Sequence, residues 1–164
     1  MCRGCGIILE DVDGPVDPYG VSTSACWAFY TNNILTRDFS GEEYFASHRI
    51  TVDAYMAQHP SRVSRASVQS VWVHLAGLYL LIIKKASPKF IGRFMQIATE
   101  KKIRHPWLDP PEKFTLNARH LTGATEPGEY FKLAFEWGNA VWNDWEAHHK
   151  AIVDFSEAVL KKLG

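Results

Sequence analysis

The stretch that most limits what this chain can become is Val71-Trp-Val-His-Leu-Ala-Gly-Leu-Tyr-Leu-Leu-Ile-Ile83. Wound as a helix it is apolar on nearly every side, and a helix without a polar face has to be surrounded by other elements. Its longest apolar run, residues 75–83, is too short to span a bilayer, so the surroundings are expected to be protein. One narrow stripe of small and polar side chains interrupts it: Ser67, Ser70, His74 and Gly77, at helical spacing.

The helices that would cover this one are marked by their ends. Ser22, Thr23 and Ser24 offer N-caps for a first helix over about 25–37. Ser40-Gly-Glu-Glu43 has the capping-box spacing, in which the Ser side chain caps the helix and a Glu three residues on reaches back. The second helix that follows is stopped by Pro60, because proline disfavours helical conformation in the residue before it. The central helix should occupy about 64–85. Ser87-Pro88 is a cap followed by proline at the first helical position, opening a fourth helix to about residue 102. His105-Pro-Trp-Leu-Asp-Pro-Pro111 reads as an extended connector, and Thr115 as a cap for one short turn in an otherwise ambiguous 112–124. Thr125-Glu-Pro127 opens the longest helix, ending near Leu163, with Lys161 and Lys162 suited to its negative end. The expected fold is all-α: a four- to five-helix bundle in one domain over 1–164. An irregular, turn-rich segment over 1–24 packs on it.

Composition narrows the function. Eighteen basic and 18 acidic residues cancel, which leaves no basic surplus for nucleic acid. No long apolar run follows Met1-Cys2-Arg3, so neither a secretory signal nor a membrane partner is expected, and the chain reads as cytoplasmic. In that setting three cysteines favour free thiols or a metal over disulfides.

Cys2-x-x-Cys5-Gly6 has the spacing of a zinc knuckle, two thiolates on a tight turn suited to a soft, tetrahedral ion. Cys26, at the start of the first helix, supplies a third thiolate; alone it would read as a small buried residue. The fourth ligand comes from His48-Arg-Ile-Thr-Val-Asp-Ala-Tyr-Met-Ala-Gln-His-Pro60. At about 100° per residue its two histidines return to within roughly 20° of one another, yet stand about 16 Å apart along the axis. They cannot share an ion. If the first two helices pack antiparallel, Cys26 meets the returning end of the second, which is His59. Cys2, Cys5, Cys26 and His59 then make a closed Cys3His site, the usual form of structural zinc. The plainer alternative is a His59 that bonds only to backbone.

The other histidine, His48, falls level with His74 across the next helical turn. A third imidazole from the last helix, His149 or its neighbour His148, would give a three-His site with an open position for water or substrate. Asp53 and Tyr55 are candidate supporting residues, although Asp53 lies about 140° around the helix from His48. Against this stands a simpler arrangement, with His48 and His74 hydrogen-bonded to each other, to Ser70 or to Tyr hydroxyls. Trp137, Trp142 and Trp145 read as core.

The motifs resemble an uncharacterised bacterial domain-of-unknown-function family. They are Cys2-Arg-Gly-Cys5-Gly6, Asp13-Gly-Pro15, Cys26-Trp27, the 48–60 phrase, Gln69-Ser-Val-Trp-Val-His-Leu75, Trp107-Leu108, Pro110-Pro111 and Val141-Trp142-x-x-Trp145-x-x-His148-His149. Asp17 stands where the family pattern often has a His before Pro-Tyr. That resemblance implies a similar fold and brings no reaction. A looser likeness of architecture is to DinB/YfiT-type bundles, which implies a three-His metal site and thiol-transferase or hydrolase relatives.

The leading expectation is a zinc-binding helical bundle acting on a small molecule. A second divalent metal on His48, His74 and His149 would serve a hydrolase or transferase reaction. The alternative is a non-enzymatic module whose zinc only stabilises the fold.

Overall fold

A computed structural model describes residues 1–37, 42–100 and 103–163. Every regular element among them is helical. Helix α1 (Ser24–Tyr30) is capped by the Thr23 hydroxyl, which accepts from the Cys26 N–H, and runs on into a π-helical turn, Thr31–Leu35. Helix α2 is Glu42–Ala57; the capping box expected at Ser40 lies outside the described residues. Helix α3 (Arg65–Leu78) is capped by Ser64 and ends in a second π turn, Tyr79–Ile83, after which Lys85 takes a positive φ of 55°.

Helix α4 (Pro88–Ala98) has the expected Ser87 cap with proline at its start, but stops at Ala98, short of residue 102. Thr99 turns its hydroxyl back onto the Met95 carbonyl at 2.8 Å, the local bond by which Thr competes with a continuing helix. Thr115 does not cap a turn. Its N–H and hydroxyl both bond Asp144, at 2.8 and 2.6 Å, and the short 3-10 turn Ala118–Leu121 is capped by Asn117 instead.

The largest departure from expectation is in the last helix, which is two helices. Helix α5 (Pro127–Asp144) and helix α6 (His149–Leu163) are separated at Trp145 by a 3-10 turn, Glu146–His148. The Trp145 side chain is buried at the break. Across it the His149 ring stacks on Trp142 at 3.9 Å, and its Nε2 meets the Trp142 carbonyl at 2.8 Å.

Helix α2 packs most extensively on α5 and on α3, while α6 covers α3 and α4. Two glycines permit those approaches. A Cβ on Gly138 of α5 would stand 2.5 Å from Ile50, and one on Gly77 of α3 would stand 2.3 Å from Asp53 Oδ2. The stretch Arg65–Ile83 is long and apolar enough to cross a membrane by length and composition, yet 67% of that window is buried by its neighbours. Its apolar surface is therefore used within the bundle, as its lack of a polar face requires.

Helix α2 and the two residues that follow it are unusual inside this core, for Ser47, Thr51, Asp53, Gln58 and His59 are all buried. Buried polar groups need partners. Thr51 donates to the His48 carbonyl at 2.9 Å. Gln58 donates to the Leu116 carbonyl at 2.6 Å and accepts from Trp137 Nε1 at 3.1 Å. Asp53 and His59 carry the two sites described next.

Candidate metal centre

The residues 2–7 form a knuckle because Gly6 takes a φ of +74°, which turns its N–H onto the Cys2 carbonyl at 3.0 Å. The Cys2 N–H then reaches the Ile7 carbonyl at 2.8 Å. Both thiols face the start of α1 and the end of α2. Cys26 lies one residue pair inside the Thr23 cap, and His59 sits just beyond α2. The backbone holds this junction closed: Val21 N–H bonds the His59 carbonyl at 3.1 Å. Gly4 and Gly20 are there by necessity, since a Cβ would stand 2.4 Å from the His59 ring at Gly4 and 2.5 Å from the His59 carbonyl at Gly20.

The four ligand atoms of Cys2, Cys5, Cys26 and His59 lie within 4.8 Å of one another, and all four residues are buried. Cys5 Sγ and Cys26 Sγ are 3.7 Å apart, and Cys26 Sγ is 3.4 Å from His59 Nε2. A tetrahedron with Zn–S bonds of about 2.3 Å has S···S edges of about 3.8 Å. The donor set and its spacing therefore fit a tetrahedral thiolate–imidazole ion. His59 Nδ1 donates to the Tyr55 carbonyl at 2.7 Å, which orients the ring so that Nε2 faces the thiols.

The electrostatics match. Burial is the largest influence on His59 and opposes its charge, but the Cys2 and Cys5 thiols outweigh it and raise the imidazole to about 9. Hydrogen bonds with Cys26 and Cys5 push the Cys2 thiol strongly down, while those with Cys2 and Cys5 push Cys26 strongly up. Three thiols and an imidazole crowded into one buried space thus compete for protons, which a bound cation would displace.

Tyr55, expected beside His48, belongs here. Its ring stacks on Tyr30 at 3.9 Å and lies 4.1 Å from His59, and its hydroxyl is 3.7 Å from Cys26 Sγ. Burial foremost, then the Cys26 charge, raises its hydroxyl above the ordinary range.

The three-His group of His48, His74 and His149 is not formed. Among the described residues, the Cys3His set is the group of three or more such side chains with ligand-spaced atoms. His149 is drawn away by its stack on Trp142, and His148 by a 2.8 Å contact with the Asp109 carbonyl. His48 is half-buried, and burial first, then the Arg49 charge, lowers its proton affinity.

His74 instead pairs with Asp53, Nδ1 to Oδ1 at 2.7 Å. Asp53 is fully buried and also holds the Arg49 guanidinium on both oxygens, at 3.0 and 2.9 Å. His74 borders an open cavity of about 490 Å³ between the loop at residues 17–19 and helices α1, α2 and α3. Asp17, Trp27, Met56, Gln69 and Ser70 also line it. The Arg49–Asp53 pair was readable as an i,i+4 ion pair. Its extension to His74 was not, because that partner sits on the neighbouring helix.

Comparison with curated proteins and with solved structures finds no match. The family model that does match spans residues 1–146, taking in all four ligands of the metal centre and the Asp53–His74 pair. The chain belongs to the family of unknown function DUF5946.

Proposed function

We propose that this chain is a zinc-stabilised bundle that binds a small molecule in the cavity beside its metal centre. The observation that carries the zinc assignment is the clustering of three thiols and one imidazole within 4.8 Å, with the Cys5 and Cys26 Sγ atoms 3.7 Å apart. Four protein ligands, all buried, leave no open position for water or substrate, so the ion's role is structural. What the ion organises is local. It clamps the segment before α1 to the end of α2, and Asp17, Pro18 and Tyr19 of that segment form one wall of the cavity. A hydrolase or transferase reaction at an interior three-His metal receives no support from this arrangement, because His149 is committed elsewhere.

Elemental analysis of purified protein tests the assignment. About one equivalent of zinc per chain is expected, with the thiols shielded from titration until a chelator is added. Cys26→Ser should lose most of the ion and, by analogy with removing a native cross-link, cost on the order of 2–5 kcal/mol. Less than half an equivalent in the wild type, with all three thiols freely titratable, would sink the proposal.

A further inference from the structure

The cavity is walled by Trp27, Val52, Met56 and Val73, and among the described residues no lysine or arginine lines it. Asp17 borders it without offering it a charge, being only 3% exposed. Its Oδ1 accepts from the Tyr19 N–H at 2.9 Å, and its Oδ2 packs against Gly20 and His59 beside the candidate metal centre. A charged ligand would shed its water here and meet no opposite charge, which is costly.

The polar groups of the cavity come from one face of α3. His74 Nδ1 donates to Asp53, whose carboxylate is fully buried and holds the Arg49 guanidinium on both oxygens. With the proton on Nδ1, Nε2 of the neutral ring is an acceptor. Nε2 has no hydrogen-bond partner among the described residues, yet it is not sealed from solvent, and the His74 side chain is 17% exposed where it borders the cavity. One turn earlier on the same face, Ser70 lines the cavity too, and no hydrogen bond among the described residues engages its hydroxyl. An acceptor and a donor thus stand side by side in an apolar pocket. A neutral hydroxyl satisfies both, since it donates once and accepts as well. An ammonium group cannot accept from Ser70, a carboxylate cannot donate to His74, and an ether oxygen only accepts.

We infer that this cavity binds a small neutral alcohol with an apolar body. Its hydroxyl donates to His74 Nε2 and accepts from Ser70 Oγ, and its body lies against Trp27, Met56 and Val73. Asp53 and Arg49 position the His74 ring without touching the ligand. This inference rests on the small-molecule reading above and names the ligand class.

Four probes on one phenethyl frame test it by NMR titration of the purified protein: 2-phenylethanol, its methyl ether, phenethylamine and phenylacetate. The alcohol is expected to bind about fivefold tighter than the ether, the worth of one hydrogen bond, and about tenfold tighter than either charged probe. The His74 Nε2 resonance should move with the alcohol and stay in place with the ether. His74→Phe should level alcohol and ether, and Ser70→Ala should weaken the alcohol about threefold while the His74 resonances of the free protein keep their positions. Should His74→Phe fail to fold, Ser70→Ala and the Nε2 resonance decide. Equal affinity for alcohol and ether, an unmoved Nε2 resonance, or tighter binding of a charged probe overturns the alcohol assignment and leaves the small-molecule reading intact. Failure of all four probes to bind overturns both.

Discussion

Gly77 is where two demands on a single position conflict. Glycine in a helix interior costs about 1 kcal/mol relative to alanine, so Gly77→Ala should stabilise α3 on propensity alone. The added Cβ, however, would stand 2.3 Å from Asp53 Oδ2, a carboxylate locked by Arg49 and His74 with nowhere to move. Overpacking of this kind typically costs about 1–3 kcal/mol, which outweighs the propensity gain. Thermal unfolding of Gly77→Ala should therefore show net destabilisation, with the His74 ring signal shifted in an NMR spectrum. A variant as stable as wild type, with an unshifted ring, would mean that α2 and α3 can separate at this contact. The residues of the candidate metal centre were legible in the sequence, two from a local motif and two from the register of adjacent helices. A Cys-x-x-Cys-Gly turn has few other uses, and Cys26 and His59 fall level when two helices are folded back on each other. The Asp53–His74 pair was not legible. Counting angles around α2 relates Asp53 to His48 on the same helix and says nothing of what an adjacent helix presents to it.

Among the elements, helix starts followed from caps and prolines: Thr23, Ser87 and Pro127 stand where the sequence suggests. The break at Trp145 did not, because Glu146-Ala-His-His149 contains no glycine or proline. That break is made by tertiary packing, which sequence periodicity does not record. The connector at 103–111 makes a different kind of contribution. Its His105 ring packs 5.4 Å from Trp72 of α3 and 5.0 Å from Phe155 of α6, and burial foremost lowers its proton affinity. A histidine with a depressed folded-state pKa is neutral in the folded protein but protonates near pH 6.5 when unfolded. Below that pH the unfolded state binds more protons, so stability falls with acidification and is restored as pH rises above it. Unfolding midpoints compared at pH 5 and pH 7.5 should show this loss, and His105→Phe should flatten it. An unchanged slope in that variant would move the effect to His48, whose proton affinity is lowered in the same sense.

For the molecule as a whole, the placement of the ligands along the chain has a consequence in time. All four ligands occur by residue 59, whereas α5, the helix packed most extensively against α2, begins at Pro127 and ends at Asp144. At about 5–20 residues per second, a ribosome takes roughly 4–17 s to travel from the last ligand to the end of α5. The four candidate ligands are thus available to an ion before the core that will bury α2 has been made. Under the zinc assignment proposed above, synthesis would then have a natural order, with a metal-pinned N-terminal knot formed first and the bundle closing around it afterwards. A ribosome-bound chain stalled near residue 120, with α3 and α4 already made, should carry zinc and resist thiol alkylation. If such chains alkylate as fast as controls that carry any two of Cys2→Ser, Cys5→Ser and Cys26→Ser, with a single thiol left, loading waits for the finished bundle. Under that outcome the proposed ion would have to enter a folded protein whose four candidate ligands are all buried.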